Sequence, residues 1–330
     1  MTHPTIIRIT EVPTPTAGLA LGIASLGWCW ENAAPLHGYG QLAAAGLASL
    51  LLIALLIRFI VDHRSLLDDL AHPVLGSVAP TFAMATMVIS NAVSKFFPVA
   101  GEALWLAAVG IHLIFLAVFI YHQFTNFSLH NMVPSWFVPP VGIIVANVSF
   151  AGTHFYGFAT FLLYFGMIAY AIMLPIMIYR LIFCTEIIDA AKPTIAIMAA
   201  PASLSLAGYL SMTDTPSALI ISLLLGIAVL MTFVLYVAFI KLLRLPFSPA
   251  YASFTFPLVI GSTALYKTSV WMLAQHWQHE IIEQVRFLAV AELYIATTII
   301  TYVTIRFALY FFPITAVANI FGKDVRTTGL

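Results

Sequence analysis

Apolar runs of about twenty residues follow one another along nearly the whole chain, separated only by short punctuation of charge, histidine, asparagine and proline. A run of that length is what a helix needs to cross the hydrocarbon core of a bilayer. In lipid a backbone must satisfy its own N–H and C=O groups, which leaves helices or closed barrels as the spanning structures. Composition agrees. Of 330 residues, 62% are hydrophobic and 8% are charged, and mean hydropathy is +1.02. Soluble domains carry about 25% charged residues. Such a chain cannot keep a folded surface in water. A soluble enzyme, a nucleic-acid binder with a basic face and a disordered regulator are thereby excluded.

The punctuation predicts ten membrane helices, near 14–32, 39–61, 75–97, 99–124, 138–153, 155–183, 194–212, 215–243, 251–275 and 281–311. Connections are short, so successive spans are expected to form antiparallel hairpins. The whole of 1–330 reads as a single transmembrane domain, with a bundle over about 12–312. The tails 1–11 and 313–330 are placed in the cytoplasm. Orientation follows from Lys and Arg, which favour the cytoplasmic side. With the N-terminus inside, that face receives Arg8, Arg58, Arg64, Arg180, Lys192, Lys241, Arg244, Arg306, Lys323 and Arg326. The opposite side keeps Lys95, Lys267 and Arg286. Both termini are therefore expected in the cytoplasm of a multi-pass protein of the inner membrane. Residues 62–71 read either as a short amphipathic helix or as a solvated loop. Residues 1–13 lack a basic start followed by an apolar core, so no cleavable signal is expected. Cys29 and Cys184 fall at opposite faces and should not pair.

Proline marks an internal period. Pro15, Pro80, Pro140, Pro201 and Pro257 each stand near the start of an odd-numbered span, at intervals of about 60 residues. A fixed period signals a repeated architectural unit, here one helical hairpin. Small and hydroxyl residues follow these prolines, and Thr86, Ser90, Asn147, Ser205 and Ser262 are candidates to line a pore. Even spans such as LLLIALLI at 50–57 are uniformly apolar. The economical arrangement is all-α, with the odd helices in an inner ring and the even helices outside. The alternative is that the small residues only permit close helix packing. An interior proline frees the carbonyl four residues earlier, tolerable where it faces a shared cavity. The pattern alone does not distinguish a kink from a break.

Five further motifs fall in order: TAGLALG at 16–22, HPV at 72–74, PSWFVPPVG at 134–142, APA at 200–202 and SFTFPL at 253–258. Together with ten spans they make the chain resemble the tellurite-resistance/dicarboxylate transporter family. That family includes bacterial TehA, fungal malate permeases and the slow anion channels of plant guard cells. The resemblance runs from about residue 12 to 312. It implies a homotrimer of ten-helix protomers, each a quasi-five-fold ring of five helical hairpins around its own pore. It implies passage of small inorganic anions or dicarboxylates. It also places at Phe256 the phenylalanine that plugs the pore in the family.

A bulky apolar ring in a narrow pore excludes water, although any one of 25 phenylalanines is more often a packing residue. Lys267, in the ninth span, either attracts anions into a vestibule or pairs with Glu292 on the tenth. His112 reads as a buried, hydrogen-bonded imidazole rather than a ligand. No metal cluster, carboxylate pair, nucleophile triad, phosphate-binding loop or facing histidine pair is evident, so no cofactor, no nucleic-acid partner and no enzymatic activity are expected. A redox site for tellurite is equally absent from the pattern. Two transport readings remain. One is an anion channel or channel-like transporter closed by Phe256. The other is a secondary carrier, with or without proton coupling, for malate or another C4-dicarboxylate. Strong dicarboxylate binding calls for buried Arg or Lys. The odd spans hold only Lys95 and Lys267, which favours weak binding and conduction.

Overall fold

A computed structural model describes residues 9–125, 127–152 and 154–312. Most of both expected tails, with Arg8, Lys323 and Arg326, lies outside the described residues. Helices make up most of the described residues, and no strand occurs among them. The elements are α1 (Thr16–Ala33), α2 (Tyr39–Val61), α3 (His63–Ala71), α4 (Leu75–Val78), α5 (Thr81–Ser94), α6 (Pro98–Thr125), α7 (Val138–Val141), α8 (Ile144–Val148), α9 (Tyr156–Phe183), α10 (Ala200–Met212), α11 (Ala218–Leu242), α12 (Phe256–Ala274) and α13 (His279–Phe311). Tight 3-10 turns occupy Pro134–Phe137, Lys192–Ala199 and Pro249–Phe254.

Seven helical stretches among the described residues are long and apolar enough to cross a bilayer. They are α2, α4 with α5, α6, α9, the turn at 192–199 with α10, α11 and α13. The first, fifth and ninth predicted spans fall outside that set. In α1 and α12 glycine, serine and threonine dilute the apolar run. The fifth is not one continuous helix. Residues 134–148 form a 3-10 turn and the short α7 and α8, with consecutive prolines at 139 and 140 inside α7 and a break at Gly142 and Ile143.

The prolines settle the choice between kink and break. They are not interior kinks. Pro15 and Pro80 stand immediately before α1 and α5, and Pro140, Pro201 and Pro257 lie within the first turns of α7, α10 and α12. At those positions proline loses nothing, since its missing N–H would have no partner inside the helix.

Burial divides the helices into two classes. The stretches Leu75–Ser94 and Lys192–Met212 are 78% buried within the fold, whereas α2, α6, α9, α11 and α13 range from 22% to 39%. The exposed faces of the second class carry residues such as Leu50, Ile114, Phe161 and Phe233, as lipid contact requires. The buried elements form a closed circuit. α1 packs on α5, α5 on α8, α8 on α10, α10 on α12, and α12 back on α1. Outside them, α2 packs on α1, α6 on α5, α9 on α7 and α8, α11 on α10, and α13 on α12.

Polar side chains hold the breaks. His112 of α6 bonds the carbonyl of Pro139 through Nε2 at 2.8 Å, as the buried-imidazole reading expected. The Trp105 indole donates to the Ala146 carbonyl and the Trp136 indole to the Pro73 carbonyl. Residues 63–71 do form a helix, capped by the Asp62 carboxylate on the Ser65 N–H. Arg58 is buried and ties this helix to the start of α1. It donates to the Val12 carbonyl, the Thr14 hydroxyl and the Ser65 hydroxyl, and pairs with Asp69 at 2.8 Å. Cys29 and Cys184 are both free.

Candidate functional site

Two cavities lie inside the circuit of buried elements. The first sits at the level of the helix starts and is walled by α1, α5, α7, α10 and α12 with the turns that lead into them. Its lining includes Gly18, Thr81, Val138, Pro201, Ser253 and Pro257. It is overwhelmingly apolar, with Thr81 and Ser253 as its hydroxyls. The second lies toward the other helix ends. There Ser25, Asn32, Ser149, Thr263 and Lys267 supply polar groups among valines, Trp28 and Cys29.

Phe256 and Leu204 are the residues that line both. The ring of Phe256, 9% exposed, thus stands where the two spaces approach each other. Phe254, two positions earlier, is fully buried elsewhere. It packs on Phe239 and Tyr251 at ring-centroid distances of 5.3 and 4.7 Å and lines neither cavity. The 3-10 turn ends and the α-helix begins between them, which sends the two rings to different sides.

From Phe256 onward the helical period does the placing. Residues three to four apart share a face. Phe256, Ile260, Thr263 and Lys267 follow that spacing and all line the second cavity. Lys267 is the one charged residue in the lining of either cavity. It takes part in no ion pair among the described residues, so the pairing with Glu292 is not observed. Glu292 instead borders a separate small cavity behind α12, beside Gly261 and Thr232.

The five uncharged candidates sit elsewhere. Thr86, Ser90, Asn147, Ser205 and Ser262 are absent from the lining of both cavities. Thr86 donates to the Phe82 carbonyl at 2.9 Å and Ser90 to the Met87 carbonyl at 2.6 Å. Ser262 reaches across to the Ala289 carbonyl of α13 at 2.8 Å. Asn147 and Ser205 are buried between helices. Thr86, Ser90 and Ser262 thus serve backbone carbonyls, as short hydroxyl side chains in helices commonly do. The residues missed were Leu204, Ser25, Asn32, Ser149 and Thr263. Ser25 and Asn32 were within reach of the same periodicity, since with Trp28 and Cys29 they make one face of α1.

The lining suits weak, reversible contact with a small anion. It offers one cation, a few hydroxyls and an amide, and no carboxylate that would repel one. Backbone N–H groups at the helix starts contribute less than a bare helix terminus would. Those of Thr16, Ala17 and Gly18 are already engaged by the carbonyls of Pro13, Thr14 and Pro15. Among the described residues no group of three or more His, Cys, Asp or Glu could hold a metal ion.

Comparison with known proteins adds a family and two relatives. The family model described as voltage-dependent anion channel matches residues 14–308. Two uncharacterized transporters of Methanocaldococcus jannaschii are similar to the chain. One is 26% identical over 257 residues, covering 70% of this chain and 74% of the relative. The other is 27% identical over 247 residues, covering 66% and 70%.

Proposed function

Because the chain belongs to the voltage-dependent anion channel family, we propose that it passes small anions through the space inside its buried helices, with the Phe256 ring as the constriction. The observation that carries this reading is the meeting of two cavities at that ring, with Lys267 as the sole charge in their lining. A narrow apolar barrier resists wetting and so resists ions until the ring moves. Beyond it, an isolated lysine among neutral polar groups attracts an anion without trapping it. Conduction needs sites weak enough to release their ion.

The wider architecture of this proposal is a ten-span bundle of five hairpins in quasi-five-fold arrangement, forming a single transmembrane domain. It is supported by the proline period and by the circuit of packed elements. Both termini lie in the cytoplasm, on the Lys and Arg distribution, and the protein is a homotrimer of the cytoplasmic membrane. Absence of arginine from both linings speaks for conduction of monovalent anions over tight carriage of dicarboxylates.

The test is anion efflux from liposomes holding the purified protein. Phe256→Ala should raise chloride efflux at least several-fold over the parent. A correctly assembled variant with unchanged efflux would remove Phe256 from the barrier.

A further inference from the structure

Behind α12, on the side away from the two central cavities, a small space lies between α10, α11, α12 and α13. Ser203, Ala228, Thr232, Gly261, Leu265 and Glu292 are among its walls. Glu292 is 6% exposed. Its Oε1 is buried and accepts no hydrogen bond among the described residues. The Thr232 hydroxyl is the hydrogen-bonding neighbour of the carboxyl group.

Among the described residues the surroundings offer no compensating charge. From α11 the titratable group that senses Glu292 is the Tyr236 phenol, and from α1 it is the Cys29 thiol. Neither is a cation. α10 contributes Ser203, whose hydroxyl donates to the Ala199 carbonyl. α12 presents Gly261, Ala264 and Leu265, while its Lys267 lines the central cavity on another face. On α13 the nearest basic residue is Arg286, roughly two turns earlier, where it pairs with Glu283. A lone carboxylate at such a place is strongly disfavoured. A hard metal cation would need about six or more oxygen ligands, and one carboxyl with two hydroxyls does not supply them. A proton is the ligand that fits.

Contact with α12 gives this carboxyl mechanical leverage. Gly261 packs so closely that a Cβ there would overlap Glu292 Oε1. Gly261 follows Phe256 on the same helix, on roughly the opposite face. We propose that Glu292 is a proton-binding site that holds α12 in the constricted arrangement when protonated and releases it when the proton leaves. On release the O–H bond breaks, the proton passes to water and the electron pair remains on the carboxylate. The new charge must then be hydrated, which draws water between α12 and α13 and loosens the helix that carries Phe256. For its flux readout the inference rests on the anion-passage reading; the proton site itself does not.

Both parts can be measured on the full chain in liposomes. Infrared spectroscopy of the wild type near neutral pH should show the C=O stretch of a protonated carboxylic acid, shifted by deuterium exchange and absent in Glu292→Gln. In Thr232→Val, which keeps Glu292 but removes its hydroxyl neighbour, the band should move to higher frequency. Chloride efflux should rise several-fold with pH over the range in which the band disappears. Efflux through Glu292→Gln should stay low and independent of pH. Absence of the band, or a band untouched in Glu292→Gln or Thr232→Val, overturns the proton site. A titrating band with efflux independent of pH overturns the coupling. A titrating band with no anion efflux at any pH, in the wild type or in Phe256→Ala, leaves the site standing and overturns the anion passage instead.

Discussion

Lys267 illustrates how much one charge can decide. A unit charge about 4 Å from an anion is worth about 4 kcal/mol at an effective dielectric near 20, and less when water intervenes. The other groups in the same cavity are neutral, so discrimination between anions and cations should depend heavily on this ammonium. Lys267→Gln should lower the anion-to-cation permeability ratio several-fold, seen as a shifted reversal potential across a KCl gradient. Lys267→Arg should keep it. A ratio unaltered by the glutamine variant would remove the lysine from selectivity. Its depth in the ninth span was legible in the sequence; the face it shares with Phe256 follows from the steps of four, three and four residues through Ile260 and Thr263. The serines and threonines chosen as lining are absent from the walls of both cavities. A hydroxyl can serve a neighbouring carbonyl as readily as a pore, and composition does not say which; Ser262 on Ala289 is a clear instance.

At the scale of elements the molecule is held by close approaches and by buried polar ties. Gly22 of α1 meets Thr255 at the head of α12, and a Cβ at that glycine would overlap the threonine side chain. Gly22→Val should overpack this junction and destabilise by about 1–3 kcal/mol, read as a lower unfolding temperature in detergent. Arg58→Ala should cost about 3–5 kcal/mol, because it removes the cation that pairs with Asp69, leaving the carboxylate the Thr14 hydroxyl, and frees the Val12 carbonyl. Retention of wild-type thermal stability by Arg58→Ala would show that α3 and the start of α1 do not depend on this tie. The proline period was readable because proline is rare inside helices. Whether each proline bends a helix or begins one was not readable, because the answer lies with partners such as His112 and Trp105 that accept the burden of free carbonyls. The same limitation hid the division of the fifth stretch into α7 and α8.

At the scale of the whole molecule, the contrast between uniformly apolar and small-residue helices mapped onto burial, since lipid and packed interior demand different surfaces. That much followed from sequence. The meeting of two cavities at one ring did not, because it needs residues from five distant segments to arrive together. One consequence concerns valence. A lining with a single cation cannot offer two charged partners to a dianion. Reversal potentials under paired gradients should therefore rank chloride and nitrate above malate. A preference for malate would favour the carrier mechanism.

The manner in which the inner helices begin has a thermodynamic corollary. Amides at the head of α1 are committed to carbonyls three residues back, so they cannot stand in for a departing solvation shell. Whatever water an ion sheds near the aromatic barrier is then replaced only sparsely, and dehydration dominates its climb. Permeation should accordingly follow the lyotropic order, with large, loosely hydrated ions such as thiocyanate and iodide moving ahead of fluoride.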